Sequence, residues 1–189
     1  MRLAVRPVTR ERLADLGRFS QAHGRFRYCS CMRWRMTSSE FQRASTDERA
    51  ARLEQLVREG TPIGLLGYQD DEPVAWCSIA PRETYAALAR SRSIPRVDGT
   101  PAWSVVCFFV DGRLRGRGGR SKLLEAAVAY ARENGAPVVE GYPVESPGAS
   151  YGYMGRPEMY EHAGFVTAAR SSAPGAAPRL VMRRRTGPE

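Results

Sequence analysis

Residues 103–110 read WSVVCFFV, apolar, aromatic and β-branched with almost no polar break, which is the pattern of a strand buried on both faces. After a short stretch rich in glycine and arginine, Leu123, Leu124, Ala127, Val128 and Ala131 recur at helical spacing. They predict an amphipathic helix over residues 117–134, closed by Gly135. Residues 137–142 (PVVEGY) return to strand character, and a strand, helix and strand of these lengths predict a right-handed βαβ unit with parallel strands.

Weaker periods surround this unit. Residues 3–7 alternate like a short strand, and Thr9 predicts the N-cap of a first helix. Ala50, Leu53, Leu56 and Val57 share one face of a helix over residues 47–59, which Gly60 ends. Residues 64–68 and 74–79 flank Asp70, Asp71 and Glu72 as an antiparallel hairpin. Residues 84–92 predict a short helix, and Pro157 opens another that runs to Glu161. Residues 147–155 (PGASYGYMG) form a glycine-rich loop, and residues 164–168 and 179–182 predict a closing pair of short strands joined by a flexible connection. Residues 25–36 (RFRYCSCMRWRM) fit no single period, and their aromatic and arginine content predicts a segment lining a pocket or an interface. The whole predicts one α/β (α+β) domain over residues 1–189, a mixed sheet of about seven strands with helices on both faces.

Composition narrows the class. At 42% hydrophobic and 26% charged residues the chain has the balance of a folded globular protein. No apolar run approaches the roughly 20 residues that span a bilayer, and the first residues carry arginine and glutamate, so a cytoplasmic protein without a membrane partner is expected. The net charge is +9, with Lys122 the one lysine, but the arginines are spread along the chain, which weighs against nucleic acid as the partner. Cys29, Cys31, Cys77 and Cys107 do not have the spacing of a disulfide framework, and the C-x-C of Cys29 and Cys31 lacks a second ligand pair, so no metal is expected.

One arginine cluster lies where chemistry is expected. The sequence Arg113-Leu114-Arg115-Gly116-Arg117-Gly118 sits between the buried strand and the helix, followed by Gly119 and Arg120. A helix start leaves backbone N–H groups without partners and concentrates positive potential, so it can hold a pyrophosphate. Glycines at 116, 118 and 119 admit close approach of the phosphate oxygens, and Arg115, Arg117 and Arg120 add charge. A Walker loop needs Lys-Ser/Thr after its last glycine, whereas Gly119-Arg120-Ser121-Lys122 inverts that order. A dinucleotide fingerprint belongs to the first strand of its domain, and this strand is the fourth or fifth.

The pattern Arg113-x-x-Gly116-x-Gly118, after a strand ending in Val110 and before a leucine-rich helix, resembles the acetyl-CoA signature of the GNAT N-acetyltransferase family. Downstream, Met159-Tyr160-Glu161-His162-Ala163-Gly164-Phe165 is similar to that family's aromatic-Tyr-Glu-x-x-Gly-Phe segment. The resemblance implies a mostly antiparallel sheet with a central splayed parallel pair and acetyl-CoA as co-substrate. It implies that the backbone of Phe108, Phe109 and Val110 pairs with the pantetheine arm, that residues Arg113, Arg115, Gly116, Arg117, Gly118, Gly119 and Arg120 surround the pyrophosphate, and that Tyr160 protonates the leaving thiolate. The asparagine that many members carry after the cofactor helix is missing from residues 138–143, which leaves completion of the cofactor site to other residues.

Acetyl transfer to an amine needs a base, since an alkyl amine is mostly protonated at neutral pH. Glu140 and Glu145, on or just after the following strand, are the candidates. Tyr28, Trp34, Tyr151 and Tyr153 are either an aromatic acceptor pocket or packing. The expected reaction is acetylation of a primary amine on a small molecule. Acetylation of a protein N-terminus or lysine, or a module that binds acyl-CoA or RNA without turnover, are the other readings. Residues 25–36 and the last strands are the candidate surfaces for a homodimer.

Overall fold

The computed structural model describes residues 3–91, 94–114, 116–145, 152–171 and 178–187. Strands β1 (Ala4–Pro7), β2 (Leu65–Gln69), β3 (Glu72–Pro81) and β4 (Ala102–Val110) pair antiparallel in succession. The β2–β3 turn places Asp70 and Asp71 at φ 49° and 62°, the left-handed pair that a tight hairpin requires. Strand β5 (Val138–Gly141) then lies parallel to β4, and β7 (Leu180–Arg185) and β6 (Val166–Arg170) complete a seven-stranded sheet in the order β1-β2-β3-β4-β5-β7-β6.

The uninterrupted apolar character of β2, β3 and β4 reflects burial on both faces. On one face, α6 (Gly119–Glu133) sets Leu123, Leu124, Ala127 and Ala131 against Ala75, Cys77, Ile79 and Val105, and α7 (Pro157–His162) adds Tyr160. Leu123 and Leu124 are fully buried, each worth about 1.5–3 kcal/mol of transfer free energy. On the other face, α1 (Leu13–Ala22), α2 (Gly24–Cys29) and α4 (Thr46–Arg58) cover Leu66, Tyr68 and Trp76. Further along that face, Tyr85, Leu88, Tyr142 and Met154 pack with Val106 and Val181. None of the helices among the described residues is long and apolar enough to cross a membrane.

Several local expectations are corrected. Thr9 makes no side-chain cap, and a 3-10 turn (Arg10–Arg12) precedes α1. The expected helix over residues 84–92 is a 3-10 turn (Arg82–Thr84) and a single turn, α5 (Ala86–Ala89), because Tyr85, buried against the Ser78 hydroxyl at 3.1 Å, has a non-helical backbone (φ −102°, ψ 84°). A helix was not expected at α3 (Ser38–Arg43), yet Thr37 and Glu40 close a full capping box around its start. Helix α6 begins at Gly119, two residues later than its periodicity predicts.

Residues 25–36 contribute mainly to the core. After α2, Ser30 and Cys31 adopt left-handed backbone (φ 44° and 48°), and the reversal buries Phe26, Cys31, Met32 and Met36. A hydrogen bond with Cys107, together with burial, holds the Cys31 thiol well above its ordinary pKa, and burial pushes Cys29 up to about 11, so neither is a ready nucleophile. Of this segment's large apolar side chains Tyr28 alone is largely exposed, at 62%, while Trp34 reaches the wall of a cleft.

The parallel pairing is short. It runs from Ala102 opposite Val138 to Val105 opposite Gly141, where β5 ends, and Pro143 follows without an N–H to continue a ladder. Strand β4 continues beside β3 as far as Val110. The two central strands therefore part, and among the described residues no strand lies on the β5 side of residues 106–110 of β4.

Candidate active site

The register of β3 against β4 fixes what the open edge presents. The Asp111 N–H donates to the Val74 carbonyl at 2.9 Å, and Val110 lies opposite Ala75. In an antiparallel ladder this makes Val110 and Ala75 a non-hydrogen-bonded pair, and the alternation makes Phe108 and Cys77 another. The N–H and C=O groups of Phe108 and Val110 thus point away from β3, into the gap left by β5. Phe109 is turned toward β3, and its ring packs on the opposite face against Phe19 and His23, at 5.5 and 4.8 Å between ring centres.

The cradle lies immediately beyond. Gly116 and Gly118 both have φ 72°, and a Cβ on either would meet no atom within 4 Å, so it is the backbone conformation that calls for glycine. Gly118 is the N-cap of α6 and supplies no side-chain cap. Helices α3 and α4 instead close their starts with capping boxes built on Glu40 and Glu48. The first turn of α6 carries Arg120 and Lys122 and no acidic residue, the reverse of the usual preference at a positive helix end. An uncapped, cationic helix start of this kind fits a phosphate group. Arg117 is exposed beside it, and Arg120 donates to the Gly152 carbonyl at 2.8 Å. Arg113 is held by Asp111 at 3.0 Å and Glu72 at 3.4 Å, so its side chain braces the loop. Arg115 lies outside the described residues.

Tyr160 occupies the wedge between the parted strands. Its ring is fully buried beside Phe108 and Phe165, and it approaches β5 so closely that a Cβ on Gly141 would fall 2.0 Å from the ring. The hydroxyl donates to the Met154 carbonyl at 3.0 Å. Burial holds its pKa well above the ordinary value, so the phenol keeps its proton.

The two carboxylates singled out in the sequence have different surroundings. Glu140 is fully buried opposite Ser104, on the paired part of the strands. Its oxygens accept from Arg82 at 3.1 Å, Arg183 at 2.7 Å and the Tyr142 hydroxyl at 2.7 Å, with Tyr142 also bonded to Ser104. Glu145 is partly exposed, beyond β5, and pairs with Arg170 at 2.8 Å. His23, at the end of α1, was not singled out in the sequence: its imidazole lies 3.9 Å from Asp111, and burial lowers its pKa against the opposing pull of that carboxylate. Nothing in the sequence pattern marks a lone histidine at a helix end.

On the face of the sheet away from α6, an open cleft of ≈ 480 Å³ has Trp34 and Arg33 on one wall and Ala87 and Arg90 on the other. The Ala87 N–H donates to the Trp34 carbonyl at 3.0 Å, which ties the walls together. Tyr153 and Arg179 close the cleft, and Arg179 donates to the Met154 sulfur at 2.8 Å with its guanidinium 5.8 Å from the Trp34 ring centre. Met154, itself fully buried, therefore touches both Arg179 of this cleft and Tyr160. Trp34 and Tyr153 thus meet at one site, whereas Tyr28 packs near Phe41 and Arg49, and Tyr151 lies outside the described residues.

Comparison with known proteins agrees with this fold. The sheet superimposes on an N-acetyltransferase of Staphylococcus aureus (TM-score 0.55, 16% identity, 99% of this chain and 100% of that one). It also superimposes on yncA of Salmonella typhimurium, solved with its cofactor acetyl-CoA (TM-score 0.55, 18% identity, 99% and 95%). An aminoglycoside 6'-acetyltransferase of type Ii is similar as well (TM-score 0.59, 15% identity, 98% and 99%). These likenesses concern the fold. Among curated proteins none matches the sequence. The model of the acetyltransferase (GNAT) family matches residues 29–145, more than half of the chain and the whole span from the end of α2 past the parted strands and the start of α6, and the chain belongs to that family.

Proposed function

We propose that this acetyltransferase moves the acetyl group of acetyl-CoA to a primary amine of a small molecule, by direct attack with both substrates bound. The observation that carries the reading is the open edge of β4, whose outward Phe108 and Val110 backbone groups lead directly into the uncapped start of α6. The pantetheine arm would pair along that edge as a substitute strand, and backbone N–H groups from Gly116 to Arg120, with Arg117, would hold the pyrophosphate.

In this reading the backbone donors of β4 polarise the thioester carbonyl and stabilise the oxyanion formed as the amine nitrogen attacks, a contribution of about 2.7–4 kcal/mol for such a donor. The carbon–sulfur bond then breaks. Tyr160, protonated because it is buried, gives its proton to the departing sulfur as its hydroxyl turns from the Met154 carbonyl. The amine's proton leaves through water toward Glu145, the carboxylate open to solvent, and Glu140 serves to position β5. The ≈ 480 Å³ cleft beside Met154 supports a small acceptor, within the roughly 300–1,000 Å³ usual for such sites.

The test is thiol release from acetyl-CoA with a panel of small amines, aminoglycosides and peptides. Release above hydrolysis with a small amine is expected. Release with peptides alone would transfer the activity to protein substrates, and no release with any amine, together with salt-sensitive RNA binding, would refute it.

A further inference from the structure

The cleft beside Met154 has a definite electrostatic character. Of its nine described lining residues three are arginines, Arg33, Arg90 and Arg179, and none of the nine is acidic. The neighbouring carboxylate of Glu40 is engaged in the α3 capping box, where it accepts from the Thr37 N–H at 2.8 Å and hydroxyl at 2.6 Å. Arg33 and Arg90 are exposed on opposite walls, while Arg179 is buried at the base. The indole N–H of Trp34, in the same wall, is buried without a hydrogen-bond partner among the described residues.

We infer that the cleft takes a small primary amine that also carries an anionic group, an amino acid being the simplest, with its carboxylate received by Arg33, Arg90 and Arg179. This rests on the acetyl transfer proposed above. Guanidinium forks suit carboxylate or phosphonate oxygens, and the aromatic faces of Trp34 and Tyr153 suit the carbon skeleton between the two charged ends. The same arginines neutralise the carboxylate's hold on the ammonium proton, which favours the free amine that must attack. A polyamine meets the opposite field and is repelled.

Thiol release is measured with amino acids, with their carboxamides, with aminoalkyl phosphonates and with spermidine, for the wild type and for Arg33→Gln and Arg90→Gln. Loss of one charge-assisted hydrogen bond predicts about a tenfold rise in KM for the amino acid in each variant, with little change in kcat and an unchanged denaturation midpoint. Carboxamides should fall at least about tenfold in kcat/KM, and Arg33→Lys should restore part of the loss. Turnover of phosphonates would support the same anion site. Turnover of carboxamides or spermidine as fast as amino acids, or arginine variants without effect on KM, would overturn the inference and leave acetyl transfer standing. Binding of acetyl-CoA with no turnover of any amine would overturn both.

Discussion

Replacing Glu140 by Gln distinguishes a carboxylate that performs chemistry from one that holds strands together. The side chain is fully buried and accepts from Arg82, Arg183 and Tyr142. Removing its charge leaves two guanidinium groups facing an amide whose nitrogen is itself a donor. Breaking one side of a buried ion pair costs about 3–5 kcal/mol. Arg183 keeps Asp98 at 2.6 Å, whereas Arg82 keeps the Ile94 carbonyl at 3.2 Å, so the lower end, about 3 kcal/mol, is expected. For a chain of this size that corresponds to a fall of about 6–12 °C in Tm. Urea denaturation and thermal unfolding measure the loss, and thiol release below the transition measures what activity remains. A stability within about 1 kcal/mol of wild type, with kcat abolished and its pH profile flattened, would refute the structural role and restore Glu140 as a base.

Gly118→Val forces a β-branched residue to φ 72° and should raise the KM for acetyl-CoA at least about tenfold, roughly 1.4 kcal/mol of binding; an unchanged KM in a folded variant would place the pyrophosphate elsewhere. Tyr160→Phe should lower kcat at least about tenfold with the KM for acetyl-CoA nearly unchanged, as steady-state kinetics would show, and an intact kcat would make water the acid. Because the native pKa of His23 is depressed, the unfolded chain takes up a proton before the folded one does. Its stabilising contribution is therefore present above about pH 6.5 and declines as pH falls through that value. Urea midpoints between pH 7.5 and 5.5 should show a shallower slope for His23→Gln than for wild type.

The βαβ unit was legible because its signals are long: an apolar strand, a helix with one continuous apolar face, and glycines between them. The glycine turn at the start of α6 was legible for the same reason, and Tyr160 stood out as a candidate through its motif. The hidden features depend on distant partners or on very short elements. Glu140 reads as an isolated acid on a strand, since its partners Arg82 and Arg183 lie 58 and 43 residues away. Helix α3 is only 6 residues long, and its T-S-S-E start was the available signal. The arginine cleft draws on four separate segments, so no window of sequence contains its charge pattern.

The unpaired edge of β4 also bears on how the protein behaves before it meets its substrate. Of residues 106–110, Val106 and Phe108 are buried and Cys107, Phe109 and Val110 only partly exposed, so the edge is shielded from pairing with another chain while among the described residues it stays without a strand partner of its own. Acetyl-CoA lying along residues 106–110 would occupy the edge and bind the native state alone, raising stability by about 2.7 kcal/mol at a hundredfold excess over Kd. The nucleotide would then act as a folding partner as well as an acyl donor. Its addition should therefore raise the unfolding temperature, which thermal denaturation with and without acetyl-CoA measures.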